Sequence, residues 1–445
     1  MKKHITFIFI FFILNETYAA DYFWVGGTGN WSNYSLHWAT TSGGTNMHTQ
    51  IPQSVDNVFF DINSFTNSNQ VIYIDQTIVY CKNMTWTGVL NNPRMFNDNN
   101  QLQIYGSLTL DPNMSLTGNI NGSLNFVSTF NGNSIDMAGV KMVNSLNFDG
   151  IGGEWTLQDS IYTDDGGLML YNGKLFTNGK NLILNYISIL NNSTIDLSSS
   201  KVKLFSADAS WELATSANIY AGTSTISGAS LFSGGGKNYF NLIALPTASF
   251  ILIEGNNYFN KVHLNTNAQF FGSNSMDSLL FTPGYSYTLE AGQTQTVNLF
   301  FDANGSCTQS IELGSNLNGT KANLSMPSGS VITNFLSIKN INAFGGATYI
   351  ANNSIDLGNN SGWIINTVLP STYYWVGNAG NWNDVSHWSL SSGGSPAGCL
   401  PLHSDNVIFD NQSFSTSGQV VNINVPAYCK NMTWTGVLNN PRMFN

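Results

Sequence analysis

Charge is scarce in this chain of 445 residues. Asp, Glu, Lys and Arg together make up 9% of it, against roughly a quarter in an ordinary soluble domain. Arginine occurs only at Arg94 and Arg442, and 25 acidic residues outnumber 15 basic ones, for a net charge of −10. A surface so poor in cations excludes nucleic-acid binding through phosphates. Cysteine is scarce as well: Cys81, Cys307, Cys399 and Cys429 are too few for a disulfide scaffold, and no Cys-x-x-Cys pair offers zinc or redox chemistry. Sustained helical spacing is missing, which excludes a coiled coil. The 13% aromatic content excludes disorder. What is abundant is Gly, at 42 residues, and Asn, at about 60. The chain reads as a large, neutral β protein.

Long apolar runs are missing too, apart from Ile5–Leu14. That run is too short to span a bilayer as a helix. It follows Lys2 and Lys3 and precedes Thr17-Tyr18-Ala19-Ala20, so residues 1–20 read as a secretory signal cleaved after Ala19 or Ala20. Cleavage after Ala20 removes Lys2, Lys3 and Glu16 and leaves a net charge of −11. The mature chain is expected outside the cell, with no membrane span.

Two segments are copies of one module. Tyr22-Phe23-Trp24-Val25-Gly26 returns as Tyr373-Tyr374-Trp375-Val376-Gly377, and Gly29-Asn30-Trp31 as Gly380-Asn381-Trp382. His37-Trp38, Ser42-Gly43-Gly44, Pro52, Asp56-Asn57-Val58 and Phe60-Asp61 all have counterparts. Tyr80 through Asn97 is identical to Tyr428 through Asn445. The modules are 21–97 and 373–445, and the second stops where the first runs on, as in a fragment of a longer array. The identity of the final segments also fits a recent duplication or a sequence-assembly artefact.

Between the modules a shorter period runs through 98–366. Gly106-Ser107-Leu108-Thr109-Leu110, Gly122-Ser123-Leu124-Asn125-Phe126 and Asn144-Ser145-Leu146-Asn147-Phe148 share one pattern, and Tyr239 to Leu245 is echoed by Tyr258 to Leu264. Intervals of roughly 16 to 22 residues are those of stacked solenoid rungs. A short strand with one apolar face cannot bury it alone, whereas stacking creates a continuous apolar column. The corners between rung faces need φ > 0, which Gly adopts freely and Asn tolerates. The expectation is all-β: a right-handed parallel β-helix, capped by the Trp-rich module at 21–97, with a linker at 367–372 before the second copy. Asn-Gly pairs at 121–122, 172–173 and 178–179 keep a string of antiparallel sandwiches open as the alternative.

The pattern Tyr-x-Trp-Val-Gly…Gly-Asn-Trp…His-Trp…Ser-Gly-Gly…Asp-Asn-Val-x-Phe-Asp resembles a module of large secreted Bacteroidetes proteins. Gly153-Glu154-Trp155-Thr156-Leu157-Gln158 is similar to an element of their solenoid segments. The resemblance implies a surface-exposed or released adhesin-like protein, often exported by the type IX system. No C-terminal sorting domain of the kind those proteins carry is found here. The motifs define no active site.

Chemistry is sparse. A β-helix lyase or glycosidase is the rival reading and needs clustered carboxylates or a base. Glu154, Asp159, Asp164 and Asp165 meet only if the rungs align them, and Asp164-Asp165 before Gly166-Gly167 reads as a solvated turn. His37 and His387 read as buried struts, and His48, His263 and His403 have no evident partner. Asp56 and Asp61, with Asp405 and Asp410, are calcium candidates. On a strand, however, residues five apart face opposite sides, which favours turn hydrogen bonds. Trp31, Trp38, Trp382 and Trp388 are candidates for stacking on glycans, or else cap packing. Cys399 and Cys429 lie in one module and form the candidate disulfide. Gly234-Gly235-Gly236-Lys237 lacks the Ser or Thr of a phosphate loop. No cofactor is expected. The expected function is structural and adhesive, with surface glycans or other cell-surface components as partners.

Overall fold

A computed structural model describes residues 19–445 apart from Ile120 and Asn144. The signal reading at 1–18 lies outside the described residues. Of the described residues 47% are strand and 2% helix, and their parallel stacked sheets form a β-solenoid of about 18 turns with an aromatic cluster at the N-terminus. It divides into two compact units, residues 1–226 and 227–445; the division falls inside the stretch 98–366.

In the first unit, alternation along each strand selects the core. Leu102, Leu124, Leu146, Leu168, Ile187 and Trp211 lie in register on successive rungs and are all buried. Beside them runs a second column, Cys81–Ile104–Phe126–Phe148–Leu170–Ile189–Leu213. Each large side chain buried in such a column contributes about 1.5–3 kcal/mol. Spacing between register partners is 22 residues from Leu124 to Leu146, but 27 from Leu108 to Ile135. The wider rungs exceed the expected interval because corners absorb extra residues without disturbing the strands.

The second unit repeats the principle on two faces. Leu242–Val262–Leu279–Phe301 forms one inward column. Ala268–Tyr287–Leu313–Ile338 forms another. Corners explain the Asn excess directly: of fourteen non-glycine residues with positive φ among those described, eleven are Asn. Asn has a second use. Its amides bridge neighbouring rungs, as in Asn147 to Asn125 at 2.8 Å and Asn342 to Asn323 at 2.9 Å.

The Trp-rich copy closing the second unit builds its own core around Trp375, Trp382, Trp388 and Phe409. Its disulfide differs from the one expected. Cys399 bonds to Cys307, 92 residues away, with the Cα atoms 5.4 Å apart; Cys81 and Cys429 are free. The position shared by Cys81 and Cys429 explains why the pairing within the module fails. Cys81 sits in an inward column opposite Ile104, where the thiol acts as a small core hydrophobe, and burial pushes its pKa up. Cys429 likewise packs against the aromatic core of its module.

Candidate functional surface

The repeated motif resolves into one packing device. Trp24 stacks on the His37 imidazole, with ring centroids 4.7 Å apart, and meets Trp38 edge-on at 5.0 Å. Trp375 repeats both contacts with His387 and Trp388, at 4.7 and 5.0 Å. His37 Nδ1 lies 2.8 Å from the Val25 carbonyl and donates to it; His387 does the same to Val376 at 2.7 Å. The histidines are struts, as their setting in the sequence suggests. Gly29 and Gly380 are glycine because the imidazole lies over them: a Cβ at either would overlap His Nε2. Trp38 Nε1 donates to the Trp31 carbonyl and Trp388 Nε1 to that of Trp382, both at 2.9 Å.

This device removes the glycan-stacking candidates. Trp31, Trp38 and Trp388 are fully buried and Trp382 is 2% exposed, so none presents a ring face to a sugar. Packing wins because the large rings within each copy, Trp31 on Trp38 and Trp382 on Trp388, bury apolar surface against each other that a surface site would leave in water. Trp434 is different. Its counterpart Trp86 is 1% exposed in a strand paired with the rung at Leu108, whereas Trp434 is 40% exposed.

The aspartate candidates hold turns. Asp56 accepts from the backbone amides of Ala20 at 2.9 Å and Gln53 at 2.8 Å. Asp405 accepts from Ser371 and Leu402 at 2.8 and 2.7 Å. Asp61 and Asp410 each accept from the amide two residues on, at 2.9 Å. The oxygens that a calcium ion would need are thus turned toward N–H groups. Among the described residues no group of three or more His, Cys, Asp and Glu is arranged to hold a metal ion.

The acidic residues of the rival enzyme reading have separate partners or face solvent. Glu154 pairs with Lys174 at 2.7 Å. Asp159 accepts from the Gly139 and Ser160 amides. Asp164 and Asp165 are exposed. In the second unit a recess of about 330 Å³ is lined by Tyr285, Ser286, Thr308, Gln309 and Glu312. Its carboxylate accepts from Ser286 Oγ at 2.6 Å. One carboxylate is half of what glycoside hydrolysis uses. His263 is held below the usual histidine pKa, first by desolvation and then by Lys261.

Around this recess the outer faces are regular. Asn267, Ser286, Glu312 and Ser337 follow one another from rung to rung, as do Gln269, Thr288, Gly314 and Lys339. Mostly polar residues, with Glu312, Gly314 and Lys339 among them, therefore follow one another in files at the strand spacing of about 4.8 Å. Periodicity in the sequence signals these files; Cys307 gives no such signal, since its partner lies 92 residues on. Among the described residues no helix is long and apolar enough to cross a membrane. No family model, no curated protein and no solved structure matches the chain.

Proposed function

We propose that this protein is a secreted or cell-surface scaffold of adhesive function. Its outer files would offer the same weak contact many times over to surface glycans or other cell-surface components. The observation that carries this reading is the pair of polar files on the outer face, Asn, Ser and Ser interrupted by Glu312 in one and Gln and Thr followed by Gly314 and Lys339 in the other. Hydroxyls and amides at a fixed repeat suit a repetitive polar partner, and multivalency makes weak single contacts useful. The resemblance of the Trp-rich module to those of secreted Bacteroidetes proteins supports the same reading. So does the leader-like sequence at 1–20. A carbohydrate-active enzyme is the second reading, favoured by the recess at Glu312 and Tyr285.

One experiment separates the two. The chain lacking its leader is displayed on beads and offered to a glycan array and to soluble polysaccharides. The scaffold reading expects binding that rises steeply with bead density and no release of oligosaccharide. Steady release of reducing ends or unsaturated products would establish the enzyme instead. Failure of dense beads to hold any glycan or cell surface would remove adhesion.

A further inference from the structure

We propose that the leader is removed between Ala19 and Ala20, and that the α-ammonium group so freed is a working part of the N-terminal module, seated on the Asp56 carboxylate. The proposal rests on the reading of the protein as exported. In the cleavage a leader peptidase adds water across the Ala19–Ala20 bond, leaving a carboxylate on Ala19 and an amine on Ala20.

The sequence leaves two cleavage points open; the geometry distinguishes them. Ala20 N lies 2.9 Å from Asp56 Oδ1, while Asp56 Oδ2 takes the Gln53 amide at 2.8 Å. Asp56 is 3% exposed. Ala20 is held from its other side as well, because its carbonyl accepts the Asn57 amide at 2.9 Å. Cleavage after Ala20 would delete this donor altogether. The second copy has the same arrangement, with Ser371 N on Asp405 Oδ1 at 2.8 Å and Leu402 N on the other oxygen. There Pro370 precedes the donor, so it remains an ordinary amide. In the first copy, processing turns a hydrogen bond charged only on its acceptor into an ion pair charged on both partners. It also supplies a counter-charge to a carboxylate otherwise held by neutral amides.

The charged and titratable groups nearby are few. Tyr22 has its phenol pushed up by burial and by Asp56, and its ring stacks on His48 at 3.6 Å. His48 Nε2 reaches the Asp21 carbonyl at 3.1 Å, and the Asp21 carboxylate accepts from Asn57. Lys82 donates its backbone amide to the Asp56 carbonyl. An amine paired with a carboxylate has its pKa raised on folding. Its stabilisation is then complete below the ordinary α-amino value, about 7.7–8.0, and fades as pH rises through the folded value.

Two measurements test this. The full chain is first secreted from a Gram-negative host, and its N-terminus is read by intact mass and sequencing. Ala20 as first residue supports the proposal, and Asp21 or any other overturns it. A retained Met1 overturns the export reading along with it. The second measurement does not depend on export. Residues 20–445 with a free Ala20 amine, the same chain Nα-acetylated, and residues 21–445 are melted between about pH 6 and pH 10. The free amine should melt about 2–4 °C higher than either partner near pH 6. The gap should close toward pH 10 and should vanish in Asp56→Asn. Equal melting of free and acetylated chains at every pH would overturn the ammonium's role while leaving export untouched. That comparison decides even where Asp56→Asn fails to fold.

Discussion

At the scale of single residues, Gly29 and His37 illustrate how a motif letter acquires its reason. The glycine leaves room for an imidazole that is bonded to the Val25 carbonyl and stacked on Trp24. An alanine there must displace the ring or the strand. Gly29→Ala should therefore destabilise the first unit by about 2–3 kcal/mol, the cost of overpacking a tight core. In a His37→Ala background most of that cost should disappear, because the group it collides with is gone. Denaturation midpoints of the four proteins in this cycle check the claim; a cost unchanged in the His37→Ala background would show that the clash is not its source. Gly380 and His387 provide the internal repeat.

Among elements, the rung corners combine backbone conformation with side-chain ladders. Asn257, Asn274 and Gln295 form a buried file, 2%, 1% and 0% exposed. Asn257 donates to Asn274 Oδ1 and Asn274 to Gln295 Oε1, each at 3.1 Å. The Asn274 oxygen also takes the Asn257 backbone amide at 3.0 Å. Cutting out the middle leaves buried groups on both neighbours unpaired, at about 1–3 kcal/mol apiece. Asn274→Ala is thus expected to lower the stability of the second unit by about 2–4 kcal/mol. An exposed bridge such as Asn366 to Asn352 should barely register on substitution. Comparing the two by urea denaturation tests the claim, and equal effects would count against the buried file. The abundance of Asn foretells the corners; that some amides are buried in line follows only from how rungs stack.

For the molecule as a whole, the Cys307–Cys399 bond matters most. It fixes a loop near residue 307 to the Trp-rich copy within the second unit. Closing a loop of that length restricts the unfolded chain, typically by 2–4 kcal/mol. Non-reducing peptide mapping should recover the 307–399 pair. Reduction should lower the melting of the second unit and leave the first unchanged, since Cys81 and Cys429 are free. A 399–429 peptide would contradict the structure. The spacing of cysteines could not supply this pairing. Which residues meet across 92 positions depends on where several turns bring the chain back.

By itself the sequence determined the regular part of this protein. Alternating Leu, Ile and Phe at recurring intervals dictates parallel rungs, because short strands with one apolar face must stack to bury it. The excess of Asn and Gly dictates corners with positive φ. Duplicated Trp and His residues announce one module used twice. The tertiary structure decided what depends on facing. It turned Trp31, Trp38, Trp382 and Trp388 into the core, turned the carboxylates of Asp56 and Asp405 toward amides, and brought Cys307 to Cys399. The reason is common to all three. Periodicity specifies which side of a strand a residue occupies, whereas its neighbour there comes from another turn, whose distance along the chain varies with every corner.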